Sequence, residues 1–341
     1  MDGYVPMRGI FFRSFTMSDP KALTWEEQAD LFKMRGLKIE ARDIKKLKHI
    51  SYYRLKEFAK PFEKRDDSNQ LYYIDTTFSE VLKRYYQDKN LRMDLLHAIE
   101  KIEVSLKTKV SNILGLQYGP FGYLNFPKWV NRQKYSRYEV EKQQYHIKKN
   151  LLTICRKSHS DALQNPENID KDGFPSVWIG IDLLMLGDLV RIIELLNKKS
   201  SSLLIAEYDC SKEELISWLK CLNFIRNICA HNANLIDIQL QTKPKMREDW
   251  ESYLIVRVIE EHGRLVKRYT NKLAVVIMIM KTLVEKINPS YDWSRIQRTL
   301  CTLSNHNENR ARLLGFQSYS KIKQSLPQHK TSKRNRKVLK I

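Results

Sequence analysis

Residues 78–116 read FSEVLKRYYQDKNLRMDLLHAIEKIEVSLKTKVSNILGL, and this stretch decides the fold. Val81, Tyr85, Leu91, Leu95, Ile99, Ile102, Leu106, Val110 and Ile113 recur at intervals of three, four or a heptad-like sum, the spacing of one helix face. On its N-terminal side, Thr24-Trp-Glu-Glu27 has capping-box spacing, Leu31, Phe32 and Leu37 supply an apolar face, and Arg35-Gly36 is a helix stop. A second short helix is expected over Ala41 to Lys48. Residues 64–77, with Asp66-Asp-Ser-Asn69 ahead of Leu71-Tyr-Tyr-Ile74, read as a turn with room for one small β-hairpin. On its C-terminal side, Gly115 to Trp129 reads as a loop or an irregular insertion, Arg137 to His159 as a polar helix and Gln164 to Pro175 as an interior loop. Further helices are expected near 176–198, 211–231, 248–262, 264–287 and 293–303.

The composition agrees with an all-α fold. Of 341 residues, 42% are hydrophobic and 10% aromatic, which excludes wholesale disorder. Eleven Gly and ten Pro are too few for an architecture that turns at short intervals. The expected organisation is a flexible arm over 1–20, a helical domain over 21–315 and a basic tail over 316–341. The five cysteines, Cys155, Cys210, Cys221, Cys229 and Cys301, form no CxxC pair and are odd in number, against a disulfide framework or a zinc knuckle. The longest apolar run, Leu273 to Met280, lies between Lys272 and Lys281 and is far too short to span a bilayer. Arg13 interrupts Phe11-Phe12 before a signal segment forms. The expectation is a cytoplasmic chain with no membrane partner.

Charge is the first functional clue. The net charge is +21, and no acidic residue follows Glu308. Ten lysines and arginines lie beyond it, Lys333, Arg334, Arg336 and Lys337 among them. Such a tail suits a polyanion through counterion release; the bland reading is a solvated solubility tail.

The second clue is a helix opened by the capping box Ser211-Lys-Glu-Glu214, with Leu215, Leu219, Leu222 and Cys229 as its stripe. Arg226 falls on that stripe, where a lone buried guanidinium is costly and must find a partner or a cleft. Asn223, Asn227 and His231 follow one another four apart along one side. The spacing R-x4-H occurs three times: Arg92 to His97, Arg226 to His231 and Arg257 to His262. Context separates them. Arg92 sits in the long heptad-like helix, and Glu260-Glu261 would repel a phosphate at the third. Only Arg226 is followed by a polar Asn227, and by small Cys229-Ala230 before His231-Asn232. The bland alternative is a capped helix end with a surface histidine.

Arg226-Asn-Ile-Cys-Ala-His231 is similar to the R-polar-x(3–5)-H signature of the HEPN superfamily of metal-independent ribonucleases. More widely, the chain resembles bacterial abortive-infection (Abi) proteins of the AbiD/AbiF type within that superfamily. Four further segments carry this: Leu23-Thr-Trp-Glu-Glu-Gln28; Ile50-Ser-Tyr-Tyr-Arg-Leu55 with Pro61-Phe62; Ala98-Ile-Glu-Lys-Ile-Glu103 through Thr108; and Pro175-Ser-Val-Trp178 through Leu189. Asn234 stands where a basic residue is frequent, and Lys107 where Arg is. The resemblance implies a HEPN-like helical bundle with added terminal helices, and a homodimer that brings two motifs across one cleft.

The groups themselves suit RNA cleavage. RNA carries its own nucleophile, the 2′-OH; a histidine can move protons near neutrality, and an arginine matches phosphate oxygens. The expected catalytic residues are Arg226, Asn227 and His231, with Glu100, Glu103, Asn223 and Asn232 in support. Glu100 and Glu103 either form salt bridges or orient Arg226. Arg54, Lys107 and the four tail residues are the expected RNA contacts; Tyr52 and Tyr53 suit base stacking or core packing. No metal or other cofactor is expected, because no histidine pair shares a face with a carboxylate at H-E-x-x-H-like spacing. The expected function is an antiviral RNA-cleaving toxin, with a small non-coding RNA as candidate regulator. The alternative is a non-catalytic RNA-binding protein of the same fold.

Overall fold

The computed structural model describes residues 22–326. These residues form fourteen α-helices and two two-stranded antiparallel sheets, an all-α fold with small hairpins. The chain divides into two compact units, Met1–Lys83 and Arg84–Ile341.

In the first unit, α1 (Trp25–Met34) opens as its sequence demands. Thr24 Oγ1 accepts from Glu27 N at 3.2 Å, and Glu27 Oε2 accepts from Thr24 N at 2.7 Å. Helices α2 (Ala41–Leu47) and α3 (Tyr52–Ala59) lead to β1 (Glu63–Arg65) and β2 (Leu71–Tyr73), paired Glu63 to Tyr73. The Tyr52 ring lies 4.6 Å from that of Phe32, and its hydroxyl accepts from Arg35 Nη1 at 2.6 Å. Tyr52 is therefore core, while Tyr53 is exposed. Gly36 takes φ +85°, and a Cβ there would stand 2.6 Å from the Tyr73 carbonyl oxygen. Only glycine fits that stop.

Helix α4 (Phe78–Tyr118) carries the chain into the second unit, with Leu91, Leu95, Ile99, Ile102, Leu106 and Val110 buried as their period requires. There follow α5 (Phe126–Trp129), α6 (Arg137–Lys157), α7 (Val177–Leu183), α8 (Leu186–Leu195), α9 (Lys198–Ala206) and α10 (Lys212–Ala230). Helices α8 and α10 run antiparallel: Glu194 pairs with Lys220, and Gly187 lies against Asn223. Beyond them come β3 (Val256–Glu261), β4 (Arg264–Tyr269), α11 (Leu273–Ile287), α12 (Ser294–Ser304), α13 (Glu308–Leu313) and α14 (Tyr319–Ser325). Every residue from Leu273 to Met280 is buried. No helix of the described residues is long and apolar enough to cross a membrane.

Four expectations are corrected. The helix placed at 248–262 is absent and the one placed at 264–287 starts only at Leu273; β3 and β4 form a hairpin over 256–269, with Val258 facing Lys267 and Ile259 facing Val266. Its turn, His262-Gly263, has both φ angles positive (53° and 73°), as a two-residue hairpin turn demands. The β-branched run Val256-Arg-Val-Ile259 before that turn was the local signal for strand. Second, the single helix expected over 176–198 breaks at Leu184-Met185 into α7 and α8. Third, of the two readings of Gly115 to Trp129 the irregular insertion holds and the open loop does not: α4 runs on to Tyr118, and Tyr123, Phe126 and Trp129 are core. Trp129 Nε1 donates to the Tyr123 carbonyl at 2.8 Å. Fourth, residues 316–326 of the expected tail are packed, with Phe316, Ile322 and Leu326 fully buried. The arm over 1–20, and Lys333, Arg334, Arg336 and Lys337, lie outside the described residues.

The core contact behind α7 makes a stability prediction. Tyr123 Oη donates to the Pro175 carbonyl at 2.7 Å, and a Cβ on Gly180 would overlap that hydroxyl. Gly→Ala within a helix ordinarily gains about 1 kcal/mol from propensity. At Gly180 the overlap is expected to reverse the sign, costing about 1–3 kcal/mol. Urea unfolding checks this: the Gly180→Ala midpoint falls below wild type, and Tyr123→Phe added to it restores part of the loss.

Candidate active site

Helix α10 is held at both ends. Ser211 Oγ accepts from Glu214 N at 3.1 Å, and Glu214 Oε2 accepts from Ser211 N at 2.7 Å. Leu215, Trp218, Leu219, Leu222, Ile225 and Cys229 fix the buried face. The helix stops at Ala230, with His231 as its C-cap. Asn232 takes the left-handed conformation (φ 58°). Its N–H donates to the Cys229 carbonyl at 3.3 Å, and Ala233 N donates to the Ile228 carbonyl at 3.0 Å. That pair of bonds is a Schellman closure with asparagine in the place glycine usually takes.

The exit of this helix is stapled to α4. Arg92 Nη1 donates to Asn232 Oδ1 at 2.6 Å, and Arg92 Nε donates to Asp88 Oδ2 at 2.8 Å. The other Asp88 oxygen accepts from the backbone N–H groups of Leu235 (2.8 Å) and Ile236 (3.0 Å). One turn earlier on α4, Arg84 pairs with Asp237, whose other oxygen accepts from Asn234 Nδ2 at 2.8 Å. Arg84, Asp88 and Arg92 thus form an i, i+4, i+8 row that grips the segment 232–237. The Asp88 side chain is fully buried and that of Arg92 is 4% exposed. Burial pushes the Asp88 carboxyl upward, opposed by the bonds from Arg92, Leu235 and Ile236.

The end so fixed presents its polar groups to solvent. Arg226 is half-buried, while Asn227 and His231 are exposed. Arg226 Nη1 donates to Asn227 Oδ1 over a long 3.4 Å, and among the described residues the guanidinium is in no ion pair. Burial pushes the Cys229 thiol to about 12, which removes it as a nucleophile beside the motif.

A family model described as Abi-like protein matches residues 45–237. The chain belongs to the Abi-like, abortive-infection family. No curated protein and no solved structure matches it. The family segment starts within α2 and ends with Asp237, so it contains α4, α10 and the staple between them. The β3–β4 hairpin and α11–α14 lie beyond it.

The remaining expected site residues divide. Asn223 is half-buried against α8, where a Cβ on Gly187 would stand 3.5 Å from its Nδ2. Asn232 is a structural link, as described. Among the described residues neither Glu100 nor Glu103 bonds to Arg226; Glu103 forms a salt bridge with Lys107 at 2.9 Å, and Glu100 has a 3.9 Å contact with His97 Nδ1. Lys107 Nζ also donates to the Asp182 carbonyl at 2.9 Å. Arg54 is half-buried on α3 in the first unit, its backbone N–H donating to Ser51 Oγ. The sequence reading missed Arg84, Asp88 and Arg92. A signal was there: Asp88 falls seven residues after Val81, on the apolar period, in the gap between Tyr85 and Leu91.

Proposed function

We propose that this Abi-like chain is a HEPN-type endoribonuclease acting in abortive infection, with Arg226 and His231 as its catalytic pair. One observation supports this reading above the others. The guanidinium and the imidazole stand solvent-accessible on the last turn of α10, and the exit of that helix is fixed by a buried polar network. A surface histidine on a frayed helix end needs no such support. The net charge of +21 suits a polyanionic substrate.

The chemistry follows from the groups. An imidazole removes the proton of the RNA 2′-OH, whose oxygen attacks the adjacent phosphorus. The Arg226 guanidinium, permanently charged and planar, holds the phosphorane oxygens as negative charge builds. A second imidazole, now an acid, protonates the departing 5′-oxygen. Each chain supplies one histidine to this site, so a second copy contributes the other across a shared cleft. Asn227, beside Arg226, holds a phosphate oxygen or orients the guanidinium.

End mapping tests this. Purified protein given labelled RNA in a chelator is expected to yield 2′,3′-cyclic phosphate and 5′-OH ends. A single 2′-deoxy substitution at the scissile nucleotide is expected to stop the cut there. Products ending in 3′-OH and 5′-phosphate, or RNA left intact, would exclude the mechanism.

A further inference from the structure

Trp178 is out of place for a tryptophan in this protein. Trp129, Trp218, Trp250 and Trp293 are buried; Trp25, at the start of α1, is 40% exposed, and Trp178 on α7, in the middle of the second unit's helices, is 50% exposed. One edge of its indole rests on α4 at Gly115, where a Cβ would stand 3.0 Å from Trp178 Cζ2. Glycine at 115 therefore leaves room for that edge of the ring to approach the helix closely. Trp178 lines a cavity of about 280 Å³ whose polar wall is Lys107, Thr108, Ser111, Ser160 and Asp182 and whose apolar wall is Ala162, Ile179 and Leu183. A cavity of this size is below the usual range for drug-sized ligands and suits one flat heterocycle.

The polar part of the wall can read the edge of a flat ring. Thr108 and Ser111 satisfy their own protons on the carbonyls of Val104 (2.9 Å) and Thr108 (3.0 Å), leaving oxygen lone pairs free to accept. Lys107 spends two of its three protons on Glu103 and the Asp182 carbonyl, leaving one to donate. An aromatic plane flanked by acceptors and by the donors of Lys107 and Ser160 matches a nucleobase, with its π face and mixed edge. Exposed Arg156 and Lys157 close α6 just before Ser160, as a sugar-phosphate chain leaving the cavity would require.

The cavity also lies within reach of the α10 end. Asp182 and Gly187 are five residues apart, at most ~17 Å even fully extended. Gly187 touches Asn223, and one helical turn of about 6 Å separates Asn223 from Asn227. A strand a few nucleotides long covers that span.

We propose that Trp178, with Lys107, Thr108, Ser111 and Ser160, is a base-stacking subsite for single-stranded RNA held across the α10 end. The proposal rests on the ribonuclease reading and extends it to a substrate contact away from the cut. Stacking of a base on an aromatic side chain is tolerant of sequence, so the subsite sets affinity rather than the identity of the base.

The test uses the full chain carrying His231→Ala, so that RNA survives the measurement, and a fluorescein-labelled oligoribonucleotide eight nucleotides long. By anisotropy, Trp178→Ala is expected to weaken binding about tenfold, and Trp178→Phe to recover most of the loss. Scanning an abasic position along the oligonucleotide is expected to find one place where the abasic change and Trp178→Ala are not additive. Because half of the ring is solvent-exposed, unchanged circular dichroism is expected, and Trp178→Phe controls for folding. Equal affinity of Trp178→Ala and its parent would overturn the subsite while leaving the nuclease standing if the wild-type chain cuts RNA. Conversely, a wild-type chain that binds through Trp178 without cutting would keep the subsite and remove the nuclease. Loss of self-association in Trp178→Ala with RNA affinity unchanged would assign the indole to a subunit contact instead.

Discussion

Purified His231→Ala is expected to cleave RNA about 10²–10⁴-fold more slowly than wild type, because the positioned proton-transfer group is removed. Arg226→Ala is expected to lose about 10²–10³-fold through the unsupported charge on the phosphorane. Arg226→Lys should recover little of that, since an ammonium cannot reproduce the planar fork. Both side chains reach solvent, so thermal unfolding should stay within a few degrees of wild type; that separates lost chemistry from lost fold. Mixing wild-type and His231→Ala subunits tests the shared cleft. If each cut needs an imidazole from both copies, the mixed dimer is nearly as slow as the variant alone. Activity falling only in proportion to the wild-type fraction would mean that each chain works by itself. In cells, toxicity that survives His231→Ala unchanged would sink the assignment.

The second large effect is expected at Asp88 and Arg92. Removing either partner leaves an uncompensated buried charge, so Asp88→Ala or Arg92→Ala should cost about 3–5 kcal/mol, read as the shift in urea midpoint at constant slope. An ordinary buried ion pair can be exchanged for two apolar residues with little loss. That is not expected here. Replacing both still strands the N–H groups of Leu235 and Ile236, at about 1–3 kcal/mol each. The double variant Asp88→Leu with Arg92→Met should therefore remain well below wild type. Asn232 separates the two duties of the staple. Asn232→Gly keeps the left-handed closure and loses the acceptor for Arg92; Asn232→Ala also strains the closure and should be the less stable. A double variant as stable as wild type would show that the network carries no stability, and would remove the reason for a fixed helix end.

Much of the candidate site was legible in the chain, and the reasons are local. Thr24 with Glu27 and Ser211 with Glu214 mark helix starts through groups three residues apart. Arg226 stands out because it interrupts a period that spans only two turns. The same test applied to α4 would have flagged Asp88. It would not have named the partners, because the amides it holds lie 147 and 148 residues away. Arg84, Asp88 and Arg92, about two to five turns earlier on the same helix, make the contacts to the α10 exit that Glu100 and Glu103 do not. Glu103 found Lys107 one turn on, a nearer partner than anything across the bundle.

Sequence by itself determined the helical class, the caps, the apolar faces and the R-x4-H end of α10, since each depends on spacing within a few turns of one element. Only tertiary structure decided which charges are buried and which tyrosine is core. It also decided that Trp178 stays open, and that residues 256–269 pair as strands rather than coil into a helix. These outcomes turn on which distant surface removes water from a given side chain, and spacing along one element carries no record of that surface.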